Sequence, residues 1–176
     1  LCESMKKMEH DIIASGAQLA IADWNSNHDS MTQLYNKRYY KEQLRELQDD
    51  STIGVLYFDI DNLKRMNDTF GHEKGDAVIL KAAEFIRGYL SERASGFRIG
   101  GDEFVMLIRD CTEEKVRELV STMYGDERGN LSDVTAEFYC RLAIGGAFRK
   151  TGETLENTIK RADDEMYKNK HSVRGT

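Results

Sequence analysis

The chain predicts an α/β sandwich, with a mixed central sheet flanked by helices. Three observations carry that expectation. Ile53–Phe58 is a nearly continuous apolar run, the pattern of a strand buried on both faces. Asp76–Leu90 is amphipathic, with Ile79, Ala82, Ala83, Ile86 and Leu90 on one face and Lys81, Glu84 and Arg87 turned away. From residue 53 onward, strand-like and helix-like segments follow in the order βαββαβ.

Taken from the N-terminus, residues 1 to about 24 read as one helix, because Met5, Met8, Ile12, Leu19 and Ala22 keep a three-four spacing broken at Ser15. Such a helix either packs on its own domain or forms the end of a coiled coil arriving from upstream. Three imperfect heptads leave both readings open. The polar stretch Asn25–Asp29 is the best boundary, dividing a linker helix over residues 1–28 from a domain over residues 29–176. A second helix is expected from about Asn36 to Leu47. Phe97–Ile99 and Phe104–Ile108 are short strands joined by Gly100-Gly101-Asp102, a composition suited to a tight hairpin with positive φ. Thr112–Met123 reads as a helix with Glu113 and Glu114 in its first turn, where the helix dipole favours acids. Phe138–Phe148 reads as a strand and Leu155–Lys170 as a final amphipathic helix.

Composition narrows the function classes. The 176 residues suit one domain with a short appendage, and 40% hydrophobic with 32% charged residues argues against wholesale disorder. A net charge of −6 argues against a broad nucleic-acid-binding surface. No apolar run approaches the roughly 18 residues of a membrane span, so no membrane contact by this segment is expected. Lys6, Lys7 and Glu9 interrupt the start, which speaks against a secretory signal. Leu1 rather than Met stands first, so the chain is expected to be part of a longer protein. Cys2, Cys111 and Cys140 match neither a disulfide framework nor a zinc site and read as thiols in a reducing compartment. His10, His28, His72 and His171 show no metal-ligand spacing, and proline is absent.

Three segments carry the candidate chemistry. In Phe58-Asp59-Ile60-Asp61-Asn62-Leu63-Lys64, two carboxylates stand at the end of the buried strand. On extended backbone Asp59 and Asp61 project to one side, and acids at a strand's C-terminal end are placed to meet a ligand. Paired carboxylates repel unless a cation lies between them, and hard oxygen ligands suit Mg²⁺. A helix cap or solvated turn is the plainer reading. In Gly100-Gly101-Asp102-Glu103, two glycines beside two acids admit a metal, a nucleotide or another backbone; a solvent-facing turn is the plainer reading. If the two strands are neighbours, Asp102 joins Asp59 around one metal.

The third segment, Asn67–Asp76, reads as a loop with two glycines feeding the helix at Asp76. A carboxylate accepts from guanine's N1–H and amino group, and an Asn amide both donates and accepts. Adenine would face that carboxylate with an unpaired lone pair, which gives strong discrimination. The plainer reading makes Asp76 an N-cap. Lys64, Lys170 and Arg174 are the cations a triphosphate needs, although the last two also suit solvated charge at a helix C-terminus.

Together these residues resemble the GGDEF family of diguanylate cyclases. The pentapeptide is complete at Gly100–Phe104, a chance match on the order of one in a million per position. The likeness runs from about Asp29 to Arg174. It includes Asp29-Ser30-Met31-Thr32-Gln33-Leu34-Tyr35-Asn36-Lys37-Arg38, and Arg161-Ala162-Asp163-Asp164 through Tyr167. The resemblance implies a palm-like, ferredoxin-like core shared with nucleotidyl cyclases and polymerases. It implies two GTP molecules, one on each subunit of a homodimer, condensed into cyclic di-GMP and two pyrophosphates. By motif position, Asp59, Asp102 and the Ile60 carbonyl would hold Mg²⁺ (or Mn²⁺). Asp102 would accept the proton of the attacking hydroxyl, with Glu103 as second acid. Asn67 and Asp76 would hold guanine. Lys64, Lys170 and Arg174, with the backbone N–H groups of Asn62 and Leu63, would hold the phosphates.

An upstream sensory domain and a cytoplasmic location, including the cytoplasmic part of a membrane-anchored protein, are also implied. The alternative is a non-catalytic regulatory domain that binds GTP or cyclic di-GMP on the same fold. Departures from the family pattern are few. Its product-inhibition pair, Arg-x-x-Asp, falls on Ser91 and Ala94, so no tight feedback through that site is expected. Gln33 stands where glycine is usual, Met31 where leucine is usual, and Leu63 where phenylalanine is common.

Overall fold

The apolar run forms β1, Gly54–Ile60, in a computed structural model that describes residues 3–131 and 140–172. Three more strands join it: β2 Ala94–Arg98, β3 Glu103–Ile108 and β4 Leu142–Phe148. The expected strand at Phe138 begins only at Leu142, and residues 138 and 139 lie outside the described residues. The sheet order is β2-β3-β1-β4. All three ladders are antiparallel, which corrects the mixed sheet to an antiparallel one, apart from an isolated parallel bridge between Tyr35 and Phe97. The physical reason is topological. β1 and β2 run the same way, as a helical crossover requires, but the hairpin returns β3 into the space between them. This is the split arrangement of a ferredoxin-like core.

Period-two alternation divides the core between the two faces of the sheet. Leu56, Phe58, Ile60, Phe104 and Met106 point to one face. There they meet α3 Leu63–Phe70, α4 His72–Arg87 and α5 Glu113–Gly125. Val55, Tyr57, Phe97, Val105 and Leu107 point to the other, under α2 Lys37–Glu46 and α6 Leu155–Ser172. Asp59 and Glu103 continue that second alternation, so they share the face covered by α6. Caps fall where the sequence places them: Asn36 accepts from the Tyr39 N–H and Thr112 from the Lys115 N–H.

Two glycines in β4 set the spacing of the layers. A Cβ on Gly145 would lie 2.1 Å from the Ala162 carbonyl oxygen and the Met166 nitrogen of α6; on Gly146 it would lie 2.6 Å from Val120 of α5. Helices therefore press on β4 from both sides. Its open edge is capped at Ile144. The Tyr124 hydroxyl donates to the Ile144 carbonyl at 2.7 Å and accepts from the Ile144 N–H at 2.9 Å, while Asn169 donates to the same carbonyl. Unpaired strand groups are thus kept from a second chain.

The N-terminal helix α1, Glu3–Asn27, does not pack on the domain. Ile12, Ile13 and Leu19 are 65%, 72% and 70% exposed, which removes the first of its two readings. Its C-terminal end is tied down. Trp24 stacks on His28 at 3.5 Å and His28 lies 4.5 Å from Tyr35, while Arg38 donates to Ser26 and Asn27. Among the described residues, no helix is long and apolar enough to cross a membrane.

Two stability predictions follow from this packing. Gly145→Ala should cost about 3 kcal/mol or more, because backbone rather than a flexible side chain stands in the way; urea unfolding checks it. The second concerns Glu153, whose carboxylate binds the Arg161 guanidinium through two bonds of 2.7 Å. That partner holds its pKa down at about 2, against an ordinary 4.5. A depressed carboxylate contributes stability that is fully present above its unfolded pKa and is lost as pH falls through its folded one. Glu153→Gln should therefore lower stability by about 1–2 kcal/mol at pH 7. The gap to the parent should close between pH 4.5 and 2, as read from denaturant midpoints across that range.

Candidate active site

The pairing of β1 with β3 assembles the site. Asp59 stands directly opposite Glu103, and the Ile60 N–H donates to the Asp102 carbonyl at 3.1 Å. The strand ends there, because Asn62 takes a left-handed φ of 62° and starts α3. Backbone beyond Ile60 is not extended, so the expected shared side for Asp59 and Asp61 does not persist. Asp61 lines a cleft of about 350 Å³ together with Ile60, Asn62, Leu63, Lys64, Asp102 and Lys170. Asp59 meets this cleft through Lys170. Arg65 and Asp68, which the sequence did not single out, line it too. Both project from α3, an element hidden inside what reads as a loop.

The acids here are crowded. Burial raises the Asp59 carboxyl above its usual range; Lys170 pulls it down, and Asp102 and Glu103 push it further up. Lys170 Nζ stands 2.5 Å from Asp59 Oδ1, an ammonium placed where neighbouring carboxylates call for positive charge. Glu103 accepts from the Tyr57 hydroxyl at 3.0 Å. Burial and this carboxylate push the Tyr57 hydroxyl far above its ordinary pKa, which keeps it a donor. Across from them Asp163 of α6 is also raised, by burial and by Asp164 and Glu103. Tyr57 escaped sequence reading, although period two places it on the face of Asp59.

The supposed loop from Asn67 to Asp76 is mostly helix. α3 runs to Phe70 and α4 starts at His72, with Gly71 between them at φ 87°. Asp76 is therefore not an N-cap; it sits exposed in the second turn of α4. Gly75 explains the second glycine. A Cβ there would lie 1.7 Å from Asn67 Oδ1, so Asn67 lies against the turn that carries Asp76. Asn67 Oδ1 is buried and has no hydrogen-bond partner among the described residues.

At the hairpin tip the double glycine works differently from the expectation. Neither Gly100 nor Gly101 takes a positive φ. Gly100 is needed for room, since a Cβ would come within 2.4 Å of Glu103 Oε2. Arg98 holds the tip by donating to the Gly101 carbonyl at 2.9 Å and to Asp29 at 3.1 Å. Burial raises the Asp29 carboxyl, but bonds from Thr32 and Arg98 outweigh it, leaving the pKa below its usual value. Gln33, in the place of the family's glycine, adopts φ 62° and so keeps the left-handed turn. Ser91 and Ala94 bond to each other's backbone in a tight turn. Arg174 lies outside the described residues.

The donor set fits Mg²⁺. Among the described residues no three His, Cys, Asp or Glu side chains form a metal cage. Mg²⁺ does not need one, since it binds through one or two carboxylates plus substrate phosphates. The acids crowded at the end of β1 and the hairpin tip, with an ammonium drawn onto one of them, match that demand.

Comparison with known proteins agrees with this geometry. The family model described as the GGDEF domain of diguanylate cyclases matches residues 26–176. Diguanylate cyclase DgcN of Escherichia coli (strain K12) is 29% identical over 97% of this chain and 43% of its own length. Diguanylate cyclase DgcS of Shewanella oneidensis is 34% identical over 83% of this chain and 50% of its own. The chain thus spans half or less of these curated relatives. A crystal structure of the coiled coil and GGDEF domain of DgcB from Caulobacter crescentus, in complex with c-di-GMP, shares the fold. Its TM-score is 0.79 at 24% identity, covering 96% of this chain and 93% of that one. Motif, topology and family match converge, and the chain belongs to the GGDEF diguanylate cyclase family.

Proposed function

We propose that residues 29–176 are a catalytic domain that condenses two GTP into cyclic di-GMP and two pyrophosphates. Residues 1–28 would serve as a signalling helix leading from an upstream sensory domain, and the domain would work in the cytoplasm, where GTP is supplied. One observation supports this above the rest: acids from β1 and the hairpin tip crowd beside a cleft that Lys64 and Lys170 line.

In this reading the 3′-hydroxyl of each GTP attacks the α-phosphate of the other, and each of the two attacks runs the same way. A new P–O bond forms as the bond to the β-phosphate breaks, and pyrophosphate leaves. Asp102 accepts the hydroxyl proton, and Glu103 is the second acid. Lys64 and Lys170, with Arg174 and the N–H groups of Asn62 and Leu63, hold the phosphates and stabilise the leaving pyrophosphate. Asn67 and Asp76 hold guanine; the unpartnered Asn67 oxygen supports this, since a buried acceptor without a donor is costly. Asp59, Asp102 and the Ile60 carbonyl would hold Mg²⁺ (or Mn²⁺), which when bound neutralises phosphate charge.

One subunit presents one GTP, so the competent species is a homodimer. The apolar residues exposed along α1 give a second copy something to bury. With three imperfect heptads, the isolated chain is expected to be mostly monomeric and weakly active; a stable dimer by light scattering at low micromolar concentration would refute this.

The decisive assay is incubation with GTP and Mg²⁺ over a range of protein concentrations, with products separated by chromatography and mass. Cyclic di-GMP whose specific rate climbs with protein concentration supports both the chemistry and the two-subunit site. Bound but unconverted GTP, in an artificially dimerised chain as well, would favour the non-catalytic regulatory reading instead. Asp102→Asn should lower turnover at least about 100-fold while circular dichroism stays unchanged; undiminished product would remove Asp102 from the mechanism.

A further inference from the structure

We propose that Tyr57 is a positioning residue for turnover, holding the Glu103 carboxylate in one place at the hairpin tip. This rests on the diguanylate cyclase reading above and adds to it a residue outside the signature. In the β1–β3 ladder, Tyr57 pairs with Val105 and Asp59 with Glu103. Tyr57 and Glu103 are therefore diagonal neighbours on one face, a separation that only long side chains bridge. The phenol does bridge it, donating to Glu103 Oε1 at 3.0 Å. The other oxygen, Oε2, lies over Gly100, where an added Cβ would meet it at 2.4 Å. One carboxylate oxygen is thus held by a donor, and the other occupies the space that the missing side chain of Gly100 leaves open.

The chemical choice of donor matters. Glu103 stands in a field of like charge: Asp59 opposite it on β1, Asp102 beside it and Asp163 facing it from α6. Without a donor on its inner side, repulsion would swing the carboxylate out toward water. A lysine or arginine at residue 57 would hold it, but would also cancel its charge. A phenol supplies direction without net charge, leaving the carboxylate its full negative charge. The ring is 8% exposed and packed in the core under α2 and α6, which fixes the hydroxyl in turn. Lys170, the nearby cation, is held by Asp59.

The test compares the parent, Tyr57→Phe, Glu103→Ala and the double variant, all as an artificially linked dimer, by steady-state kinetics with GTP and Mg²⁺. Tyr57→Phe keeps the ring, so the fold is retained, and Glu103→Ala removes the acceptor altogether. The expected result is a kcat lower by roughly tenfold, with KM for GTP unchanged and no further loss when the same change is made on Glu103→Ala. A loss carried by KM, an equal loss in the Glu103→Ala background, or full parental kcat would overturn the proposal. A second readout needs no turnover. The side-chain carboxyl carbon resonance of Glu103, identified by its disappearance in Glu103→Ala, should move in Tyr57→Phe; an unmoved resonance overturns the proposal by itself. A silent parent dimer would overturn the diguanylate cyclase reading, and the role of Tyr57 in turnover with it. An active parent with an indifferent Tyr57→Phe would overturn the role of Tyr57 alone.

Discussion

The register between β1 and β3 is the constraint on which the rest of the structure depends. Phe58 pairs with Phe104 and Leu56 with Met106, all fully buried, and the same ladder then sets Asp59 against Glu103. A slip of one residue would turn the side chains of one strand to the opposite face. In β1 it would drive Asp59 into the apolar layer under α4 and carry Tyr57 away from Glu103. Truncating even one such buried phenylalanine costs about 3–5 kcal/mol, so the core resists a slip much more strongly than the exposed tip would. Asp59 and Glu103 are held by the hydrophobic packing of Phe58 and Phe104 immediately beside them.

Packing also sets the charge balance. Gly145 admits α6 to close contact at Ala162 and Met166. Lys170 follows Met166 by four residues and so occupies the same helix face one turn on. Close docking of the helix is therefore what delivers the ammonium to Asp59. Burial first, and the neighbouring acids after it, raise the Asp59 and Asp163 carboxyls, and Lys170 offsets part of this at Asp59. Acids gathered in this way favour a bound cation, which a divalent ion with its phosphates supplies and a hydrophobic ligand does not.

Local signals in the sequence were readable where local physics decides. The apolar run at residue 55, the Thr112 cap with its following acids and the amphipathic stripe of α4 each need only a few neighbouring residues, and each forms as expected. The antiparallel sheet was not legible, because inserting β3 between β1 and β2 is a long-range choice that leaves no mark on any one strand. The C-terminal half of α3 was missed because Gly71 and Gly75, both beyond its end, make residues 67–76 look like a loop. Only Gly71 needs its conformation; Gly75 is small for the sake of Asn67. Gly100 misleads in the same way, since it leaves room for Glu103 rather than taking a positive φ. Gln33 is the reverse case, an ordinary residue that accepts φ 62° because the bonded turn around Asp29 holds it there.

That turn also explains why a helix so exposed still has a defined exit from the domain. Asp29 accepts from the backbone and hydroxyl of Thr32 and from Arg98. The same guanidinium then reaches the Gly101 carbonyl. A parallel line of rings runs from Trp24 through His28 and Tyr35 to Phe97, which belongs to β2. Both lines start at the end of α1 and finish on the hairpin that carries the acids. Exposed ion pairs alone would contribute little to such a joint. Here, however, the Arg98 and Asp29 side chains are only 14% and 24% exposed. The helix end and the β2–β3 hairpin are therefore held to each other by short, partly buried contacts, while Ile12, Ile13 and Leu19 of α1 stay exposed.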